Sequence, residues 1–231
     1  MWQALRAELH PGLEVVTVAL DTDGAEAAGA WIDAAEPEHP SLIDAEHRLD
    51  ELLGVRNVPT GVWIDEDGML VRPPETAHPG TSVLRDMLRE HGIPQDAPPI
   101  MLETLRESAK FTVEPERYGE ALRDWAAKGA GSRYALSPDE VVERSRPRPM
   151  EHSAAAAHFE LAQHLHRAGD DEGARAHFRE AHRLDPANWT YKRQAWSFED
   201  AFQGPTEHYD GNWVADVRAS DPADYYPLPD L

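Results

Sequence analysis

Six histidines stand between residues 152 and 182: His152, His158, His164, His166, His177 and His182. Imidazoles are common metal ligands, and two ligands four residues apart on a helix can face one ion. No two of these six have that spacing, and Glu160 stands four residues before His164. They read as packed or solvated side chains whose titration makes this half acid-sensitive, with a metal-binding or sensing protein as a secondary reading. Asp21, Asp23, Asp44 and Asp65 lie near the ends of apolar runs, where α/β sheets often bind ligands. Aspartates there also close turns and cap helices, and that is the reading adopted. The chain has no glycine-rich phosphate loop, no G-x-S-x-G elbow and no H-E-x-x-H helix. It also has no cysteine, which excludes disulfides, thiolate metal sites and a thiol nucleophile carried by this chain. The survey yields no catalytic residue, no metal ligand set and no cofactor. What remains is Val58-Pro59-Thr60, a proline step between a helix-closing Gly54 and an apolar strand.

Composition narrows the field further. At 231 residues with 41% hydrophobic side chains, the chain can bury a real core in one large or two small domains. Its formal charge is -21, from 43 acidic and 22 basic residues, and such a field repels phosphate backbones and anionic membranes. Nucleic acid and membrane are therefore not expected partners; a protein or peptide is. No apolar run approaches the roughly 20 residues of a membrane span, and MWQALRAELHPG lacks the order of a secretory leader. A cytoplasmic location is expected.

Periodicity places the elements. Trp2 to Leu9 fits a helix broken by Pro11-Gly12, and LEVVTVALD (13–21) reads as a buried parallel strand. AEAAGAWIDAA follows as a helix, then PSLID as an extended piece, then a helix from Ala45 to Leu53 closed by Gly54. TGVWID and MLVRP form an antiparallel pair about the Asp67-Gly68 turn, with Pro73 and Pro74 expected to stop the second strand. TSVLRDMLREHG (81–92) is expected as a helix with Val83, Leu84, Met87 and Leu88 on one face.

GLEVVTVALDTD (12–23), PSLID (40–44) and GVRNVPTGVWIDEDGML (54–70), in this order, resemble the thioredoxin-like redoxins of the TlpA/ResA and AhpC/TSA type, over about residues 1–92. The resemblance implies an α/β thioredoxin-like domain, and it answers what Pro59 is for. In that family the matching proline is cis, and the residue before it offers backbone hydrogen bonds to an extended substrate. Val58, Pro59 and Thr60 are then a peptide-binding loop. The family's strand and Cys-x-x-Cys turn, which would precede the helix at Trp2, have no counterpart, so the domain reads as N-terminally truncated. That strand would lie between LEVVTVALD and TGVWID, and its absence leaves their facing edges unpaired.

Residues 93–150 read as a helical linker region with helices at MLETLRESA, PERYGEALRDWAAKG and SPDEVVERS, the last opened by Ser137-Pro138-Asp139-Glu140. AAAAHFELAQHLHRAGDDEGARAHFREAHRLDPANW (154–189) resembles one tetratricopeptide repeat. Its packing positions would be Leu161, Ala162 and Leu165, the turn at Gly169, then Ala174, Phe178, Ala181 and Pro186; His158 stands where the pattern wants an aromatic. This makes residues 151–200 an all-α domain. One repeat cannot bury both faces, so the tail 201–231 is expected to pack back on it. Nine of the chain's eighteen aromatics fall between Trp189 and Tyr226. The combined expectation is a cysteine-free, redox-inactive thioredoxin-like protein with a repeat-like module that binds protein. The alternative is a thiol-disulfide oxidoreductase or peroxiredoxin-like enzyme whose catalytic cysteine segment lies upstream of Met1.

Overall fold

The computed structural model describes residues 1–80, 90–92, 97–145 and 147–231. The helix expected over residues 81–92 falls almost entirely outside the described residues. In the first half α1 (Trp2–Leu9), β1 (Thr17–Leu20), α2 (Ala25–Ala35), β2 (Ser41–Asp44), α3 (Arg48–Leu53), β3 (Thr60–Ile64) and β4 (Leu70–Thr76) follow in order. β1 and β2 pair in parallel, from Thr17 opposite Ser41 to Leu20 opposite Asp44. β3 and β4 pair antiparallel, and among the described residues no ladder joins the two pairs.

Two strand expectations are corrected. The apolar run 13–21 forms only the four residues of β1, and these are half-buried rather than buried. A parallel strand is covered on both faces only inside a larger layered sheet, and β1 has a single neighbour. Pro73 and Pro74 do not stop β4, which runs on to Thr76. Pairing shifts register between Gly61 and Trp63 and again between Trp63 and Ile64, and the two prolines fall opposite the first shift, on an edge strand where a missing N–H leaves no ladder bond unmade. The turn between the strands is as the sequence suggests: Gly68 has φ +79° and the Asp65 carboxylate accepts the N–H groups of Asp67 (3.0 Å) and Met69 (2.8 Å).

Helices α4 (Pro99–Ser108), α5 (Pro115–Lys128) and α6 (Pro138–Arg144) occupy the stretch read as a linker. The Ser137 side chain and Glu140 cap each other's backbone N–H groups at the start of α6, a reciprocal capping box. The stretch does more than link. Tyr118, Ala121, Leu122 and Trp125 of α5 join Leu5, Trp63, Val71 and Ala77 in one buried cluster. Trp63 stacks on Trp125 with centroids 4.9 Å apart and donates its indole N–H to the Tyr118 hydroxyl at 3.0 Å, so burial leaves no polar handle unmet.

The second cluster is helical. α7 (Met150–Arg167) and α8 (Asp171–Leu184) form a hairpin, against which α9 (Trp189–Glu199), α10 (Trp213–Ala219) and α11 (Pro222–Tyr225) pack. Alanines at 155, 162, 174 and 181 are all but inaccessible, which lets the helices approach while Phe159 and Phe178 fill the space between them. The tail contributes to this core: Tyr209, Trp213 and Tyr225 are buried in it, and Phe111 stacks on Tyr225 at 4.7 Å. No described helix is long and apolar enough to cross a membrane.

Candidate functional site

Gly54, with φ +78°, ends α3, and the chain turns through Arg56 and Asn57 to the Val58–Pro59 peptide, which is cis. The backbone here is held on both sides. The Val58 N–H donates to the Asn57 side-chain oxygen at 2.9 Å, and the Val58 carbonyl accepts from the Tyr226 hydroxyl at 2.8 Å. The Pro59 carbonyl accepts the Ala77 N–H at 3.2 Å, and the Thr60 hydroxyl donates to the Asn57 carbonyl at 2.7 Å. Asn57 in turn donates its amide to the Tyr225 carbonyl at 2.8 Å. Val58, Pro59 and Thr60 therefore do meet at one place, but not as an open cradle: the residues at 225–226 occupy the Val58 carbonyl that an incoming strand would use. The aromatic content of the tail signalled burial without naming this contact.

The repeat positions divide in the same concrete way. Ala162, Ala174, Phe178 and Ala181 are buried, Leu165 is half-buried on the same core, and Gly169 closes α7 at φ +81°. Leu161 is not a packing residue; it is 41% exposed. At 100° per residue it points some 200° away from Phe159, which takes the aromatic place one position beyond His158. Pro186 is likewise exposed, in the turn between α8 and α9. It ends a helix and packs on nothing central.

A polar seam that periodicity does not reveal joins the turn after β1 and the helix α3 to the helices α7 and α9. Gln194 accepts from the Thr22 N–H (3.0 Å) and lies 3.1 Å from His47 Nε2, while Gln163 donates to the Thr22 hydroxyl at 2.7 Å. Asp50 accepts from the Asn188 amide at 3.0 Å and from the Tyr191 hydroxyl. Arg148 donates to the Asp50 and Glu51 carbonyls at 3.0 and 2.7 Å, and Arg56 pairs with Asp185. Burial pushes the Asp50 carboxyl above its usual range and the His47 imidazole below its own. The one available signal is glutamine at two core-facing helix positions, 163 and 194.

Of the six histidines His164 is exposed and the other five are half-buried. His166 stacks on Phe198 at 3.8 Å, and His182 lies against Tyr209 at 5.4 Å with burial holding its pKa down at about 4. His158 and His177 share one hydrogen bond, Nδ1 to Nδ1 at 2.8 Å, so one ring donates and the other accepts. Among the described residues no three of His, Asp and Glu gather as a metal site would require. The aspartates behave as cappers: Asp44 accepts the N–H groups of Arg48 (3.0 Å) and Leu49 (2.9 Å), and Asp21 that of Asp23 (3.0 Å).

Of the open clefts, one of about 590 Å³ is lined by α1, β1 and α2, with Thr17, Ala19, Ala27 and Ala28 among its lining residues beside Trp31, which is 80% exposed. Val16, just before β1, and Leu42 of β2 are also more than half exposed, outside the cleft lining. No profile of a known protein family, no curated protein and no solved structure matches this chain.

Proposed function

We propose that the chain is a protein-binding module, a thiol-less relative of the thioredoxin-like redoxins carrying a tetratricopeptide-like hairpin, redox-inactive and working in the cytoplasm. The observation that carries the binding reading is the half-buried parallel pair β1–β2 beside a cleft walled by an exposed tryptophan. Parallel strands are ordinarily covered on both faces, and contiguous exposed apolar surface marks interaction sites. The cis-proline loop is a secondary contact, open to a partner only when Tyr226 leaves the Val58 carbonyl.

The test compares two surface positions of equal exposure. A photocrosslinking amino acid at Trp31 or at Met150, both 80% exposed, is activated in cells producing the protein. Discrete adducts from position 31 and none from 150 are expected; equal labelling would remove the site. In parallel, the purified chain, having no thiol, should reduce neither insulin disulfides nor peroxide, and sustained turnover of either refutes the redox-inactive reading.

A further inference from the structure

The cleft over β1 has a shape and a charge that narrow its occupant. Its volume, about 590 Å³, is that of a ligand pocket, and the small side chains Thr17, Ala19, Ala27 and Ala28 line it together with the apolar Trp2, Leu20, Trp31 and Ile32. Such a lining suits a large apolar side chain brought by a partner. Among the described residues β1 pairs on one edge only, with β2. An extended segment laid along the other edge gains main-chain hydrogen bonds and points alternate side chains toward the cleft.

Apart from the amino terminus on cleft-lining Met1, the charge is one-sided. The ionisable side chains lining the cleft are Asp21 and His39, with no lysine or arginine among them. Glu36 and Glu38 are exposed on either side of cleft-lining Pro37. Arg6, one turn along α1 from cleft-lining Gln3, is held by Glu14 through bonds of 2.5 and 2.9 Å. With a formal charge of -21 behind it, the surface attracts cations.

We infer, resting on the protein-binding reading above, that the occupant of this cleft is an extended apolar segment flanked by lysine or arginine, added as a strand at the β1 edge with a large side chain beside Trp31. The probe is a synthetic peptide of alternating phenylalanine and threonine with two lysines at each end, titrated into the full chain by calorimetry and amide NMR. A sister peptide carries glutamate in place of lysine. Binding of the lysine peptide should shift the amides of Thr17 to Asp21 and weaken about tenfold or more in Trp31→Ser, as for an interface anchor. The glutamate peptide should bind about tenfold more weakly at low salt, with the gap closing as salt screens the field. Circular dichroism checks that Trp31→Ser folds, as so exposed a side chain allows.

Equal affinity for the two peptides overturns the basic-partner inference and leaves the cleft as a binding site. Binding that ignores Trp31→Ser, or shifts amides elsewhere, overturns the location as well. Sedimentation showing a dimer that Trp31→Ser abolishes makes a second copy of the chain the occupant and sinks the inference. If neither peptide binds while position 31 still crosslinks specifically in cells, the inference fails and the protein-binding reading stands.

Discussion

His182 sits among Tyr209, Trp196 and the Tyr191 carbonyl, and burial, the largest influence on it, keeps it neutral with a pKa of about 4. Unfolding returns it to about 6.5, so the unfolded chain binds the extra proton between those two values. The stability from this group is complete above pH 6.5, is lost as pH falls toward 4, and is constant below. Moving from about pH 7.5 to about pH 5 should cost about 2 kcal/mol through His182 alone, from the ratio of the two binding polynomials. His47, pushed down by burial, adds a loss of the same sign; Asp50 and Glu75, whose carboxyls burial pushes up, contribute the opposite sign. The net slope therefore mixes signs, and the difference between variants isolates the group. Urea unfolding of the parent and of His182→Gln, whose amide can still reach the Tyr191 carbonyl, should give curves of stability against pH that converge by about 2 kcal/mol on acidification. Parallel curves would show that His182 is as accessible to protons folded as unfolded, and the burial argument for it would be wrong.

Three further perturbations test the packing. A side chain at Gly61 would lie 2.9 Å from the Ala77 methyl and overlap the Tyr118 hydroxyl, so Gly61→Ala should lower unfolding stability by about 1–3 kcal/mol in urea titrations. Arg72 is buried, bonded to Glu75 (2.9 and 3.0 Å) and to the carbonyls of Tyr134 (2.7 Å) and Asp230 (2.6 Å). Arg72→Leu strands a buried carboxylate and should cost about 3–5 kcal/mol, with Arg72→Lys recovering only part because an ammonium cannot span the fork. Tyr191→Phe removes a donor to Asp50 and should cost about 1–3 kcal/mol; a double-mutant cycle with Asp50→Asn should show coupling, and strict additivity would mean the hydroxyl does not serve that carboxylate.

The sequence was most informative where local chemistry decides structure. The helices at 2–9, 25–35 and 138–144, the Asp67-Gly68 turn and the αL glycines 54 and 169 follow from caps, breaks and handedness. The extent of β1 was not legible, because a β-branched run states a preference while the number of neighbouring strands decides how much of it becomes strand. Pro73 and Pro74 misled because the sequence does not show that their N–H positions face no partner. In α7 the repeat pattern put Leu161 in the core beside Ala162 and left Phe159 unmentioned, since a leucine and a phenylalanine two apart are equally apolar on paper. The cleft at Trp31 was hidden for a different reason: an amphipathic pattern does not say which apolar side chain will lack a neighbour. The polar seam carried no pattern beyond two core-facing glutamines, being assembled from residues as far apart as Thr22 and Gln194.

That seam has a consequence for how such a gene can change. Glutamine, asparagine and aspartate buried across the join demand their counterparts, so cutting the chain near residue 148 would leave each piece with thirsty polar atoms on a surface shaped for the other. The tail knots the pieces further, with Tyr225 in one cluster and Leu231 against the other. A cut there exposes polar surface on both pieces that only the other piece can satisfy.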